Sequence, residues 1–97
     1  MRRDQIIEEL RKHRAELEAM GVSSLSLFGS VARGEQAPLS DVDLFFDYSD
    51  PDFSLIELVA VQHRIADILG AEADVMTRNS LHRHLRSRIE QSAIRIF

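Results

Sequence analysis

The sequence predicts an α/β domain in which a small mixed sheet of three or four strands is backed by helices. Three short apolar stretches indicate strands, and turn-forming residues bound each of them. Three longer stretches place apolar residues at helical spacing and charges elsewhere. A chain of 97 residues has room for one modest core. We therefore expect residues 1–97 to form a single domain.

The predicted elements follow one another with short connections. Their order is helix 2–20, strand 24–28, short helix 30–33, strand 42–48, helix Ser54 to Leu69, strand 72–76, and a last helix opened by Asn79 or Ser80. In the helix after Ser54, the residues expected to face the core are Leu55, Leu58, Val59, Ile65, Ile68 and Leu69. Gly70 is a suitable cap for its end.

The second predicted strand carries acidic residues on one face. In an extended strand, successive side chains point to opposite faces, so Asp41 and Asp43 project to the same side. The apolar residues of this strand project to the other side, and they are Val42, Leu44 and Phe46. Two carboxylates this close repel each other, and a divalent cation removes the conflict. The pattern therefore predicts a cation site, with oxygen ligands of the kind that Mg²⁺ prefers.

The turn after the first predicted strand suggests an anion site. Gly29 permits a tight turn, and Ser30 can begin a short helix with free backbone N–H groups. Such a helix start binds anions, of which phosphate is the obvious one. The hydroxyl of Ser30 adds a donor, and Arg33 is close enough in sequence to add positive charge. A phosphate cradle beside a carboxylate pair predicts a site for a metal–nucleotide complex.

Two joined motifs resemble the signature of the DNA polymerase beta-like nucleotidyltransferase superfamily. They are GSVARG at 29–34 and SDVDL at 40–44. The short length resembles the minimal nucleotidyltransferase (MNT) branch of that superfamily. In that family a later strand supplies a third carboxylate, and the stretch ADVMT at 73–77 has Asp74 in the matching position. The resemblance, which covers roughly residues 25–77, implies a palm-like nucleotidyltransferase fold.

The resemblance also implies a reaction and a set of site residues. Asp41 and Asp43 would hold two Mg²⁺ ions, one of them shared with Asp74. Asp74 is also a candidate to take the proton of the acceptor hydroxyl. Gly29 and Ser30 would hold the terminal phosphates of the donor, and Arg33 is a further candidate for phosphate contact. The expected reaction transfers a nucleoside monophosphate, with ATP as the expected donor.

A partner protein is implied as well. Minimal nucleotidyltransferases of this size are commonly encoded beside a HEPN-domain protein as a toxin–antitoxin pair. In that family the HEPN protein is an RNase toxin, which the antitoxin neutralises by adding AMP to a tyrosine. Docking is expected at the arginine-rich last helix and the apolar end, which comprises Ile94, Ile96 and Phe97. The chain could form a homo-oligomer or a hetero-oligomer with this partner. Two alternatives stay open: a binding-only antitoxin that occludes its partner, and a nucleotidyltransferase that modifies a small molecule.

Charge is segregated along the chain, although the net charge is only −4. Residues 35–74 contain ten acidic residues against a single arginine, Arg64. Residues 78–95 contain five arginines against a single acidic residue, Glu90. The acidic middle suits a cation site, and the basic end could face phosphates, RNA or an acidic partner. In the first helix the charges balance, which indicates a solvated face, and we do not expect direct nucleic-acid binding.

Several classes of protein are excluded by composition. The chain has no cysteine, so it has neither disulfides nor thiol chemistry. Acidic residues interrupt the N-terminal segment where a secretion signal would need an apolar core. No apolar run approaches the roughly 20 residues of a membrane span. A cytoplasmic protein without membrane association is the expectation.

Overall fold

The computed structural model describes residues 3–35 and 42–97. The elements within these ranges are α1 (Arg3–Lys12), α2 (Arg14–Ala19), β1 (Ser24–Phe28), α3 (Gly29–Ala32), β2 (Val42–Asp47), α4 (Leu55–Leu69), β3 (Ala73–Thr77), a 3₁₀ turn (Arg78–Ser80), α5 (Arg83–Ser92) and β4 (Ile94–Arg95). None of the helices in the described part of the chain is long and apolar enough to cross a membrane.

The four strands form one mixed sheet in the order β3-β2-β1-β4. β1 runs antiparallel to both β2 and β4, whereas β2 and β3 run parallel. A parallel pair needs a long crossover connection, and α4 supplies it here. The predicted α/β class and mixed sheet are therefore confirmed, with β3 at one edge of the sheet.

The core lies on one face of the sheet. In β2 the side chains of Val42, Leu44 and Phe46 are buried on this face, as the alternation predicts. Apolar residues of α1 and α4 pack over them, among them Ile6, Leu10, Val61, Ile65 and Leu69. The intervening residues of β2 therefore point to the second face, where the polar site was expected.

The predicted helix over residues 2–20 is interrupted at His13. The imidazole Nδ1 of His13 lies 2.8 Å from the carbonyl oxygen of Glu9, and α2 begins after this residue. Both helices still bury apolar side chains, because Leu10 and Leu17 are two turns apart and face the same core. Apolar spacing therefore continues across the break, and the sequence pattern does not reveal it.

The predicted core face of α4 is wrong at two of its positions, Leu55 and Val59. Leu55 is 71% exposed and Val59 is 38% exposed. The buried stripe consists of Val61, Ile65 and Leu69, and Leu58 and Ile68 pack against it as predicted. Apolar residues surround the helix axis between positions 55 and 61, so helical periodicity alone does not select the inward face.

The C-terminal residues also differ from the prediction. Ile96 and Phe97 are buried, and Ile94 pairs with Leu27 as part of β4. The backbone N–H of Ile96 donates to the carbonyl of Leu25 at 2.8 Å. The apolar end therefore belongs to the core and the sheet, and it is not a docking surface. The last helix begins at Arg83, because Asn79 and Ser80 lie in the 3₁₀ turn.

Candidate active site

Two acidic residues predicted for the site lie side by side on the sheet. Asp43 of β2 and Asp74 of β3 are register partners in the parallel pair. Paired residues of neighbouring strands project to the same face, and the strands are about 4.8 Å apart. Asp43 is half-buried and Asp74 is exposed. The sheet therefore presents two carboxylates together, on the face opposite the core.

Gly29 lies directly against one of these carboxylates. Asp43 is the register partner of Phe28, so the turn that follows β1 passes beside its side chain. Gly29 has a positive φ of 79°, and a Cβ built there would overlap Oδ2 of Asp43 and lie 3.1 Å from its Cγ. Only glycine suits both the turn and this close approach. Ser30, the second residue of α3, is half-buried next to it.

The remaining predicted site residues are Asp41 and Arg33, and the structure describes only Arg33. Asp41 lies outside the described residues. Arg33 follows α3 and is exposed, and its Nε donates to Glu35 at 3.1 Å. An exposed ion pair of this kind contributes little to stability, so its guanidinium can exchange partners readily. The role of Arg33 in phosphate contact stays a prediction.

Sequence reasoning missed the role of Arg78, which links three elements near the site. Its Nε and one terminal nitrogen donate to the two carboxylate oxygens of Asp47 at 2.8 and 3.0 Å. Its other terminal nitrogen donates to Glu90 of α5 at 2.9 Å. The guanidinium also lies 4.8 Å from the ring centroid of Phe45. In the sequence it is one of five arginines in the basic end, and nothing distinguishes it from the others.

These contacts fix the ionisation of Asp47. Partial burial raises the pKa of Asp47, but hydrogen bonds from Arg78 and Ser24 outweigh this effect, and the pKa lies below its ordinary value. The pKa of Arg78 is raised in turn, chiefly by its hydrogen bond with Asp47. Asp47 is therefore held in a structural ion pair at the far end of β2, although it shares a face with Asp43.

An open groove of about 440 Å³ lies beside Asp74, between α4 and β3. Its lining includes Gln62, His63, Glu72 and Asp74. The side-chain amide of Gln62 donates to the carbonyl of Val75 at 2.8 Å and so fixes this helix against the edge strand. The groove therefore runs along the edge of the sheet at the position of Asp74.

The donor set fits a hard divalent cation. Asp43 and Asp74 offer carboxylate oxygens on adjacent strands, which are the ligands that Mg²⁺ prefers. Within the ranges 3–35 and 42–97 no cluster of three histidine, cysteine, aspartate or glutamate side chains could hold a metal ion. The third predicted ligand, Asp41, lies outside those ranges. Chemically, such a carboxylate pair can bind a cation, and an exposed carboxylate can accept a proton.

Comparison with known proteins identifies the family of this chain. A family model described as "Nucleotidyltransferase domain" matches residues 7–96. The inferred protein adenylyltransferase MJ0126 of Methanocaldococcus jannaschii is 40% identical over 94 residues, which is 95% of each chain. Protein adenylyltransferase MntA of Thermococcus cleftensis is 33% identical over 79 residues, covering 80% of this chain and 79% of the relative. The sequence similarity thus extends well beyond the two motifs.

Solved structures share the fold. One, described as an inferred minimal nucleotidyltransferase, superposes with a TM-score of 0.82 at 26% identity and covers 97% of this chain and 95% of that chain. Another is from a complex of a tri-AMPylated Shewanella oneidensis HEPN toxin with an MNT antitoxin, with a TM-score of 0.68 at 15% identity. It covers 98% of this chain and 71% of that one, and at this identity it shows the fold alone. From the family match and the close relatives, the chain belongs to the nucleotidyltransferase domain family.

Proposed function

We propose that this chain is an Mg²⁺-dependent protein adenylyltransferase that acts as an antitoxin. It transfers AMP from ATP to a hydroxyl group, a tyrosine of a HEPN-domain RNase toxin, and thereby neutralises the toxin. The observation that carries the proposal is the register pairing of Asp43 with Asp74, with the backbone of Gly29 against the Asp43 carboxylate. This arrangement places a carboxylate pair next to a turn suited to phosphate.

Each site residue has a proposed role. Asp41, Asp43 and Asp74 would hold two Mg²⁺ ions, and Gly29 and Ser30 would hold the terminal phosphates of ATP. When bound, the ions neutralise charge on the phosphates and lower the pKa of the acceptor hydroxyl. Arg33 is a further phosphate contact, because its guanidinium exchanges Glu35 for a phosphate oxygen.

The transfer is a substitution at the α-phosphorus of ATP. The acceptor oxygen forms a bond to this phosphorus, and the bond between the phosphorus and the bridging oxygen to the β-phosphate breaks. Pyrophosphate leaves with that bridging oxygen, and the hydroxyl proton passes to the carboxylate of Asp74. Asp74 suits this role because it is exposed on the edge strand and lines the open groove there.

Two observations support a protein acceptor. Relatives at 40% and 33% identity are named protein adenylyltransferases. A fold neighbour is the MNT antitoxin of a complex whose HEPN toxin carries three AMP groups. The small-molecule alternative finds no comparable support among these relatives.

The test is intact-mass spectrometry of the neighbouring gene's product, the proposed HEPN-domain partner, after incubation with the chain, Mg²⁺ and each of the four nucleoside triphosphates in turn. Added mass equal to one or more AMP units is expected with ATP alone. The variant Asp43→Asn should abolish it, whereas Asp47→Asn should preserve it. The two variants remove the same charge from the same face of β2, but Asp47 is held in its ion pair with Arg78.

Other outcomes identify the alternatives. A stable complex that gains no mass with any nucleotide, yet still inactivates the toxin, would establish the binding-only antitoxin. Added mass from another nucleotide would correct the donor. Equal loss of transfer in Asp43→Asn and Asp47→Asn would contradict the assignment of Asp43 to the site.

A further inference from the structure

The first turns of α4 expose a group of apolar side chains. Leu55 is 71% exposed, Ile56 is 81% exposed and Val59 is 38% exposed. They lie on one side of the helix, because their angular positions differ by at most about 100° at 3.6 residues per turn. The buried residues Val61 and Ile65 lie on the opposite side. We call Leu55, Ile56 and Val59 the α4 patch, and contiguous exposed apolar side chains of this kind are candidates for an interaction site.

The surroundings of the α4 patch are acidic. Residues 49–63 contain three acidic residues and neither lysine nor arginine. Asp50 and Asp52 are exposed immediately before the helix. A partner that fits this surface has apolar side chains flanked by lysine or arginine. Nucleic acid fits poorly, because its phosphates would be repelled and its binding needs a basic surface.

The α4 patch is continuous with the candidate active site. His63 follows Ile56 by seven residues, so it lies on the same side of α4, about 10 Å further along the helix. His63 lines the groove that also contains Asp74. One exposed side of α4 therefore leads from the α4 patch to the groove at the edge strand that carries Asp74. A protein seated on the patch can place a segment in the groove.

We propose that this face of α4 is the docking surface for the acceptor protein, an inference that rests on the proposed function. Apolar side chains of the acceptor bind Leu55, Ile56 and Val59, and basic side chains flanking them face Asp50 and Asp52. The segment with the reactive hydroxyl enters the groove beside Asp74. Affinity for the acceptor therefore depends on residues that do not touch ATP.

The test compares Ile56→Glu with Leu85→Glu as a matched control. Leu85 is 48% exposed on α5, the last helix for which the sequence also predicted docking, so the pair of variants compares the two surfaces with the same kind of substitution. Transfer of AMP to the HEPN-domain protein is measured as a function of its concentration and, separately, of ATP. We expect Ile56→Glu to raise KM for the acceptor at least tenfold, with KM for ATP and kcat unchanged within twofold. Leu85→Glu should match the wild type.

The result that overturns the proposal is an unchanged KM for the acceptor in Ile56→Glu, or an equal rise in Leu85→Glu. Melting temperatures of the three proteins show whether each variant is folded. Size-exclusion chromatography with light scattering tests whether a second copy of the chain occupies the patch instead. If the wild type is a dimer and Ile56→Glu is a monomer with unchanged affinity for the acceptor, the patch is a dimer interface. That result also overturns acceptor docking.

Failure of the proposed function is distinguishable from failure of this inference. If the wild type transfers no nucleotide, titration calorimetry with the HEPN-domain protein still measures whether the α4 patch contributes to acceptor binding. At least tenfold weaker binding by Ile56→Glu, with Leu85→Glu unchanged, supports the α4 surface even then. Equal affinities of the three proteins, or no binding by the wild type, overturn it.

Discussion

Replacing Gly29 by alanine should reduce adenylyl transfer at least tenfold. The added Cβ would overlap Oδ2 of Asp43, so the carboxylate must move from the position it holds beside the turn. The positive φ of 79° adds backbone strain, with an expected loss of about 1 kcal/mol in the free energy of unfolding. Steady-state kinetics and urea unfolding of the same preparation measure the two effects.

Gly34→Ala is the matched control for this substitution. Gly34 has a φ of 75°, so alanine brings similar backbone strain, but a Cβ there meets no atom within 4 Å. We expect a similar loss of stability and transfer activity within about twofold of the wild type. Equal losses of activity in the two variants would show that strain, and not the contact with Asp43, is responsible.

Asp47 should make stability depend on pH in the acidic range. Hydrogen bonds from Arg78 and Ser24 hold its pKa below the ordinary value. The folded state thus binds this proton less readily than the unfolded state, whose carboxyl has a pKa of about 3.9. The stabilisation is present above that pH and is lost as pH falls through the lower, folded-state value. Urea unfolding between about pH 6 and pH 3 should show a shallower decline for Asp47→Asn than for the wild type.

Asp52→Asn is the control, because it removes an exposed carboxylate that forms no ion pair with any described residue. Its pH dependence should follow that of the wild type. At pH 7, Asp47→Asn should lower the free energy of unfolding by about 1 kcal/mol, since the pair with Arg78 is a third exposed and partly screened. Parallel curves for the wild type and Asp47→Asn would contradict the structural role of this ion pair.

At the scale of elements, sequence predicts best where local chemistry decides the structure. The end of α4 is an example: Gly70 takes the left-handed conformation with a φ of 63°, and its N–H donates to Ala66. The start of α4 is a second example, because the N–H of Ser54 donates to the Glu57 carboxylate in a capping box. Alternation within β2 likewise identified the side of the sheet on which Asp43 lies. These features depend on neighbours within a few residues.

Long-range packing decided what the sequence could not show. Near its start, α4 has apolar residues on all sides. Contacts with α1 and the sheet therefore determine which side of the helix is buried. The short strand β4 forms only by pairing with β1, and two residues are too few for a recognisable alternation. Arg78 acquires its role because β3 brings it to Asp47, which is 31 positions earlier in the chain.

Ile96→Ala should test the integration of the C-terminal strand into the core. Ile96 is 3% exposed, so truncation removes buried methyl groups and leaves a cavity. We expect a loss of about 2–4 kcal/mol in the free energy of unfolding by urea. Arg95→Ala, at the exposed residue just before it, should change stability by about 0.5 kcal/mol or less. Similar small effects in both variants would indicate an exposed, loosely packed end.

At the scale of the whole molecule, the two faces of one sheet differ in character. The face covered by α1 and α4 supplies the core, and the opposite face presents Asp43 and Asp74. Each strand that carries a site carboxylate also contributes a buried residue, Leu44 in β2 and Val75 in β3. Under the proposed function, a ligand at these two carboxylates contacts strands that also carry core residues, and we expect it to stabilise the chain against unfolding.

Mg²⁺ with ATP should accordingly raise the melting temperature in the absence of any acceptor. A ligand that binds only the folded state at 100 times its dissociation constant adds about 2.7 kcal/mol to the free energy of unfolding. For a chain of this length that corresponds to a rise of about 10 °C or more. Thermal unfolding followed by circular dichroism, with and without Mg²⁺ and ATP, measures this shift independently of catalysis.

The shift should depend on Asp43 and not on overall charge. Asp43→Asn removes a proposed metal ligand, so we expect its shift to fall below half of the wild-type value. Asp47→Asn starts from a lower melting temperature, since it breaks the ion pair with Arg78, but its ligand-induced shift should equal that of the wild type. A full shift in Asp43→Asn would place the nucleotide elsewhere on the molecule. ATP without Mg²⁺ should give a smaller shift in the wild type, because the paired carboxylates repel the triphosphate unless cations separate them.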